Sequence, residues 1–357
     1  MFRTTSRRTG AVAALAATSL LLAPVAAAAP ALPGLPVDTG SAGSLTERPG
    51  KVDRGVAPAN SIRGNFSAPG PRPVAATAEA TDCDTLVMRV YTRIAQESQG
   101  LNKVPGCYGY APAGLNPAGV EYLYPADLAA GETAPLVILS PGIGAEPGIL
   151  DPLSRHLASH GYIVAVGFNM VNWMGTQLNA AAIAATLANG DESSPLHGHV
   201  DFSRTAMVGH SAGGGAVMFQ AGIIEELLAP VQPDLDIRSV VALNPGPAEF
   251  GVATRPSDAP TLVVVADNET MAPVPLARAR YDKLTAPAWW AGTTRTWHAT
   301  ALDWPENNPY AGLTLSFIDF SVRDDAAARA WYAGPGYGLA GDPELFDVER
   351  NAAADAL

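Results

Sequence analysis

Between residues 205 and 228 the chain runs from a short apolar segment through Gly209-His210-Ser211-Ala212-Gly213 into a helical stretch, and few folds accommodate that succession. A serine held between glycines where a strand turns into a helix sits on a turn too tight for larger neighbours, with its hydroxyl lifted clear of the backbone. Gly214 and Gly215 extend the small surface on which such a helix can approach the strand. The helix N-terminus supplies free N–H groups and the positive end of a dipole, so negative charge developing near Ser211 is favoured. Ser211 is therefore the candidate nucleophile.

The surrounding chain has the pattern that would carry such a turn. Apolar runs of strand length occupy 120–124, 136–139, 162–166, 206–208, 240–243 and 262–265, and the five from 136 onward read as buried parallel strands. Helical spacing occupies 85–96, 151–159, 177–188, 212–228, 274–284 and 313–322. The stretch from Asp151 is well punctuated, with Asp151 as the expected N-cap, Pro152 after it and Gly161 as a stop. Alternation of this kind predicts an α/β fold, a doubly wound and mostly parallel sheet with helices on both faces. A chain of 357 residues, 48% of them hydrophobic, can bury one such domain, assigned here to 82–357.

What precedes that domain has a different character. Arg3, Arg7 and Arg8 stand before an apolar run and the small residues Ala26 to Ala29, the build of a secretory signal peptide, with cleavage expected near Ala29. Arg7-Arg8 leaves export by the general or the twin-arginine route open. Residues 30–81, rich in Pro, Gly, Ala and Ser, predict a flexible linker or pro-segment. Loss of residues 1–29 deletes three arginines and no acid, taking the formal charge from −12 to −15. Such a surface disfavours nucleic acid and anionic membranes, and no further apolar stretch is long enough to span a bilayer. A secreted protein without stable membrane insertion, expected to be monomeric, is the consequence.

Cys83 and Cys107 are the only cysteines, and an exported chain meets oxidising conditions, so a disulfide between them is expected, worth roughly 3 kcal/mol on the chain-entropy model. His197-Gly198-His199 has the look of a metal pair without a third ligand nearby, so exposed loop histidines and no metal are expected. No phosphate-binding or dinucleotide loop occurs, and no cofactor is implied.

A serine hydroxyl needs a base, and on this kind of fold the chain order is serine, acid, histidine. Of the six histidines only His298 lies beyond Ser211. An acid past the strand at 262–265 is offered by Asp267 or Glu269, and spacing does not separate the two. The oxyanion formed on attack calls for two backbone donors, one from Ala212 and one from the glycine loop 140–144, where Ile143 is the candidate.

Taken in order, Leu139-Ser-Pro-Gly-Ile-Gly, Arg155-His-Leu-Ala-Ser-His-Gly-Tyr, Ser193-Ser-Pro-Leu-His-Gly-His-Val-Asp, Gly209-His-Ser-Ala-Gly-Gly-Gly and Asp267-Asn-Glu-Thr-Met-Ala-Pro resemble the bacterial cutinases and polyester hydrolases. These are lipase-like α/β-hydrolases related to the dienelactone hydrolases. The resemblance runs from about Val120 to His298. It implies Ser211 as nucleophile, His298 as base, and Ile143 and Ala212 as oxyanion donors. The family acid falls four residues before the loop proline, which here is Glu269 in a place that usually holds Asp. Two aromatics are missing: Ile143 stands where polyester hydrolases usually have a ring, and Pro245-Gly-Pro-Ala replaces a tryptophan loop. Trp173, Trp289, Trp290 and Trp304 are the remaining candidates for apolar contact with an acyl chain.

The expected activity is hydrolysis of carboxylic esters through an acyl-enzyme. An acyltransferase or peptidase would use the same three residues, and a non-catalytic binding protein could keep the same fold.

Overall fold

The computed structural model describes residues 52–110, 118–169, 171–172, 174–246 and 255–357. The expected signal peptide, and the expected linker as far as residue 51, lie outside the described residues. A nine-stranded sheet organises the rest. Its strands in chain order are β1 Val74–Ala76, β2 Ala118–Pro125, β3 Ala134–Ser140, β4 Ile163–Asn169, β5 Val200–His210, β6 Ile237–Leu243, β7 Thr261–Asn268, β8 Ala288–Trp297 and β9 Leu345–Arg350. In space they lie β1-β2-β4-β3-β5-β6-β7-β8-β9. The six from β4 to β8 in this order are parallel, while β1, β2 and β9 pair antiparallel at the two margins.

The helices are α1 Ile62–Phe66, α2 Leu86–Ser98, α3 Asp151–Ser159, α4 Thr176–Gly190, α5 Ala212–Gln220, α6 Ile224–Leu228, α7 Val274–Tyr281, α8 Pro309–Arg323, α9 Ala326–Tyr332 and α10 Ala352–Asp355. Side chains alternate across a strand, so each buried strand feeds two cores. In β3, Val137 and Leu139 join the core beneath α2, α3, α8 and α9, and Leu136 and Ile138 join the one beneath α4 to α7. Trp289 and Trp290 divide in the same way and both are buried. This is the α/β-hydrolase architecture, with helices on both faces of a mostly parallel sheet.

Three local expectations change. Asp151 is the first residue of α3 rather than its cap, and its carboxylate takes the Tyr108 hydroxyl and the Arg155 guanidinium instead. The single helix expected over 212–228 breaks into α5 and α6. The third change concerns 52–81, which does not hang free as a linker. Ile62 packs against α8 beside Gly312, and its N–H donates to the Asp342 carboxylate at 2.6 Å. The Arg63 side chain, almost wholly buried, pairs with Glu344 at 2.9 Å and donates to the Glu306 carbonyl. Arg54 donates to the carbonyls of Thr294 and Arg295, both at 2.7 Å. Composition reported the polar and small residues of this segment, but Arg54, Ile62 and Arg63 are buried against partners far along the chain.

Removing one member of a buried, hydrogen-bonded ion pair leaves a stranded charge, which costs about 3 kcal/mol or more. Arg63→Ala is therefore expected to destabilise the domain by about that amount in denaturant titration, whereas Arg93→Ala, in the exposed pair with Glu97, should change stability by less than about 1 kcal/mol.

Candidate active site

Ser211 lies where β5 ends and α5 begins, at φ 55° and ψ −124°, a backbone conformation that costs a non-glycine residue about 1–3 kcal/mol. Its surroundings enforce it. The Ser211 N–H donates to the Leu243 carbonyl, and its own carbonyl accepts from Gly215 and Gly246. A side chain at Gly209 would meet the Gly213 carbonyl at 2.2 Å, and one at Gly213 would meet the Ser140 and Pro141 carbonyls at 2.4 and 2.5 Å. The glycines are thus required by close backbone approach on both sides of the serine.

His298 follows β8 and is 8% exposed. Its Nε2 lies 2.8 Å from the Ser211 Oγ and its Nδ1 2.8 Å from the Glu269 Oε2. Glu269 is buried at its side chain, and its other oxygen accepts the N–H groups of Met271 and Ala272 at 2.7 and 2.9 Å. A carboxylate held by two backbone donors has little freedom to leave the imidazole. Asp267 is placed elsewhere. Its oxygens accept the N–H groups of Arg295 and Thr296 at 2.6 and 2.8 Å, bracing the turn at Arg295 that leads into His298.

The glycine loop of 140–144 passes directly over the serine, close enough that a Cβ at Gly142 would lie 2.9 Å from the Ser211 Cβ. Ile143 stands on this loop, 53% exposed, and Ala212 opens α5 with an N–H that has no acceptor within its own helix. Both expected donors are thus brought to the nucleophile's side of the sheet. Trp289 and Trp290, by contrast, belong to the two cores, and Trp304 packs under Lys103. Trp173 and residues 247 and 248 lie outside the described residues. His199 donates to the Glu132 carbonyl at 2.6 Å, and His197 is exposed on the same loop.

Several residues that support this arrangement went unrecognised in the sequence. His210 and Asn244 both donate to the His298 carbonyl, at 2.9 and 3.0 Å, fixing its backbone from below. Burial pushes His210 down to about 3, with the neighbouring His298 adding to the effect, so the ring is neutral and its Nδ1 has no partner. Asn172, at φ 56°, donates to the Gly142 and Ala145 carbonyls at 2.8 and 3.3 Å and is itself held by Gln177. On the far side of the same loop Glu146 is buried, accepting the backbone N–H groups of Tyr108, Gly109 and Tyr110. Short polar residues in loops carry no periodic signal, and only His210, inside the elbow itself, stood where a motif could have pointed to it. The Cys83–Cys107 disulfide is formed and delivers the 108–110 segment to Glu146.

The elbow and its partners stand at the carboxyl ends of the parallel strands of an α/β-hydrolase fold. Residues 111–288 match the family described as PET hydrolase-like. The chain is 32% identical to a cutinase, est1, of Thermobifida alba over 143 residues, 39% of this chain and 43% of that protein. It is 30% identical to cutinase est2 of the same organism over 157 residues, 42% and 47% of the two chains, and 31% identical to cutinase 2 of Thermobifida cellulosilytica over 143 residues, 39% and 49%. The chain spans less than half the length of these curated relatives. Through this region it belongs to the bacterial cutinase and polyester-hydrolase-like family.

Burial raises the Glu146 carboxyl from 4.5 to about 7, against the lowering effect of its three backbone donors. A carboxyl raised on folding binds more protons folded than unfolded, so its contribution to stability is full below about 4.5 and is lost as pH rises through about 7. Glu146→Gln should therefore match the parent near pH 4.5 and exceed it at pH 8, by up to about 3 kcal/mol, in denaturant titrations at the two pH values.

Proposed function

We propose that the chain is a secreted serine esterase. His298 Nε2 takes the Ser211 proton as Oγ attacks the ester carbonyl, while Glu269 holds the Nδ1–H and stabilises the imidazolium. The carbonyl oxygen becomes an oxyanion received by the N–H groups of Ile143 and Ala212. Collapse of the tetrahedral species expels the alcohol, which takes the proton from Nε2, and leaves the acyl group on Ser211. Water, deprotonated by the same imidazole, then attacks the acyl carbon and releases the acid.

The observation that carries this reading is the unbroken line from Glu269 through His298 to Ser211, with 2.8 Å at each junction. The relatives named cutinases point to esters as the bond class. Ile143 on the oxyanion loop supports an aliphatic acyl group over an aromatic one, because the family's usual ring is replaced there by a branched alkyl chain. No cofactor enters any step.

Ser211→Ala should abolish turnover of a p-nitrophenyl ester, and Glu269→Gln should lower kcat by about 10³–10⁴ through the wrong imidazole tautomer. Asp267→Asn should stay within about tenfold, since its carboxylate braces backbone and not the imidazole. A larger loss in Asp267→Asn than in Glu269→Gln would reverse the assignment of the acid. Matched esters and amides, assayed side by side, distinguish esterase from peptidase.

The Cys83–Cys107 disulfide and the build of residues 1–29 support export, with cleavage near Ala29. Among the described residues no helix is long and apolar enough to cross a membrane. N-terminal sequencing of the protein recovered from culture medium is expected to begin close to Pro30.

A further inference from the structure

The helix α2 presents its most regular apolar row to solvent. Leu86, Val90 and Ile94 recur every fourth residue and are 72%, 50% and 50% exposed, with Val87 beside them. The inner face, Met88, Thr92 and Ala95, is buried against the core. Leaving such a row in water is unfavourable, so an uncovered row marks a contact.

The helix is tied at both ends to the loops that hold the Ser211 site. At its start, Cys83 is bonded to Cys107, whose backbone lies against Gly148, four residues past the glycine loop over Ser211. A Cβ added at Gly148 would come within 2.8 Å of Cys107. At its end, Gln99 meets the Thr270 hydroxyl, next to Glu269, and its carbonyl accepts the N–H of Ala299, next to His298. The helix therefore runs alongside the site from the oxyanion loop to the acid and histidine loops. Ile143, Val171, Met174 and Met271, all more than a third exposed, stand on the loops after β3, β4 and β7 at that same end of the sheet. Eight of the fifteen large hydrophobic side chains exposed among the described residues thus lie on α2 or on the loops after β3, β4 and β7, and none of the eight is aromatic.

We infer that α2 and these loop residues form a docking surface for an aggregated, uncharged aliphatic ester, an oil droplet of acylglycerol, which would bring acyl chains to Ser211 from the interface. The formal charge, −12 for the whole chain and −15 after loss of residues 1–29, weighs against an anionic bilayer, and the wholly aliphatic row matches acyl chains better than an aromatic polymer. Continuity with the loops that hold Ser211, Glu269 and His298 argues for the substrate's own surface as occupant. The inference rests on the esterase reading for the identity of the ester, but the surface can be tested without turnover.

The test uses the exported protein carrying Ser211→Ala, with and without Leu86→Ser, Val90→Ser and Ile94→Ser, and measures depletion from solution by a triolein emulsion. Because all three side chains are exposed, the triple variant should keep its thermal stability, and in the Ser211 parent it should keep turnover of a soluble p-nitrophenyl acetate. Partitioning to droplets is expected to fall by about tenfold or more, and hydrolysis of emulsified tributyrin with it. Equal partitioning of the two proteins would overturn the inference. So would a parent that sediments as a dimer and a triple variant that does not, which would assign the face to a second copy. Loss of adsorption to a polyester film with droplet binding unchanged would assign it to a polymer. If p-nitrophenyl acetate is not hydrolysed at all while droplet partitioning still depends on the three residues, the esterase reading fails and the surface stands.

Discussion

The position of His298 is the constraint on which the rest of the site depends. Its imidazole must meet a serine on one side and a buried carboxylate on the other, and both meetings occur at 2.8 Å. A ring at the end of a strand has a free torsion, so this geometry needs a fixed backbone beneath it. Two donors, His210 from the elbow and Asn244 from the end of β6, close on its carbonyl, and Asp267 closes on the turn before it. Two acids at the end of β7 have thus divided their work, one on the ring and one on the chain that carries the ring.

The same logic extends outward through the N-terminal segment. Arg54 holds the carbonyls of Thr294 and Arg295, immediately before His298, while Arg63 and Ile62 anchor that segment to Glu344 and Asp342 near β9. On the opposite side, the disulfide and Glu146 hold the loop of Ile143. Residues outside the sheet therefore set the two loops that flank the serine, which is why the segment before Cys83 and the cystine loop are structural parts of the domain.

How much of this could be read in advance differs sharply between elements. Five of the six parallel strands were legible because a strand buried on both faces is apolar throughout, and the elbow because its glycines answer a steric demand that any sequence must meet. The helix at 151–159 was placed residue for residue, yet its cap was not, since Asp151 found partners in Tyr108 and Arg155. The row Leu86, Val90, Ile94 announced a helix through its spacing but said nothing of which way the row would face. Periodicity reports that one face differs from another, and only the contacts of Met88 and Ala95 decide which is turned inward.

From sequence alone came the alternating α/β order, the serine at the strand-to-helix junction, the one histidine downstream of it and the single possible cystine, because each follows from local sterics, chain order or composition. Tertiary structure decided the rest. Asp267 and Glu269 are two residues apart and chemically alike, and what separates them is the direction each takes from β7: one toward the N–H groups before the histidine, the other toward its ring. The segment 52–81 likewise becomes part of the fold through residues nearly three hundred positions away, such as Glu344 for Arg63. A choice of that kind is made by the three-dimensional neighbourhood, where donors separated along the chain converge on one carboxylate.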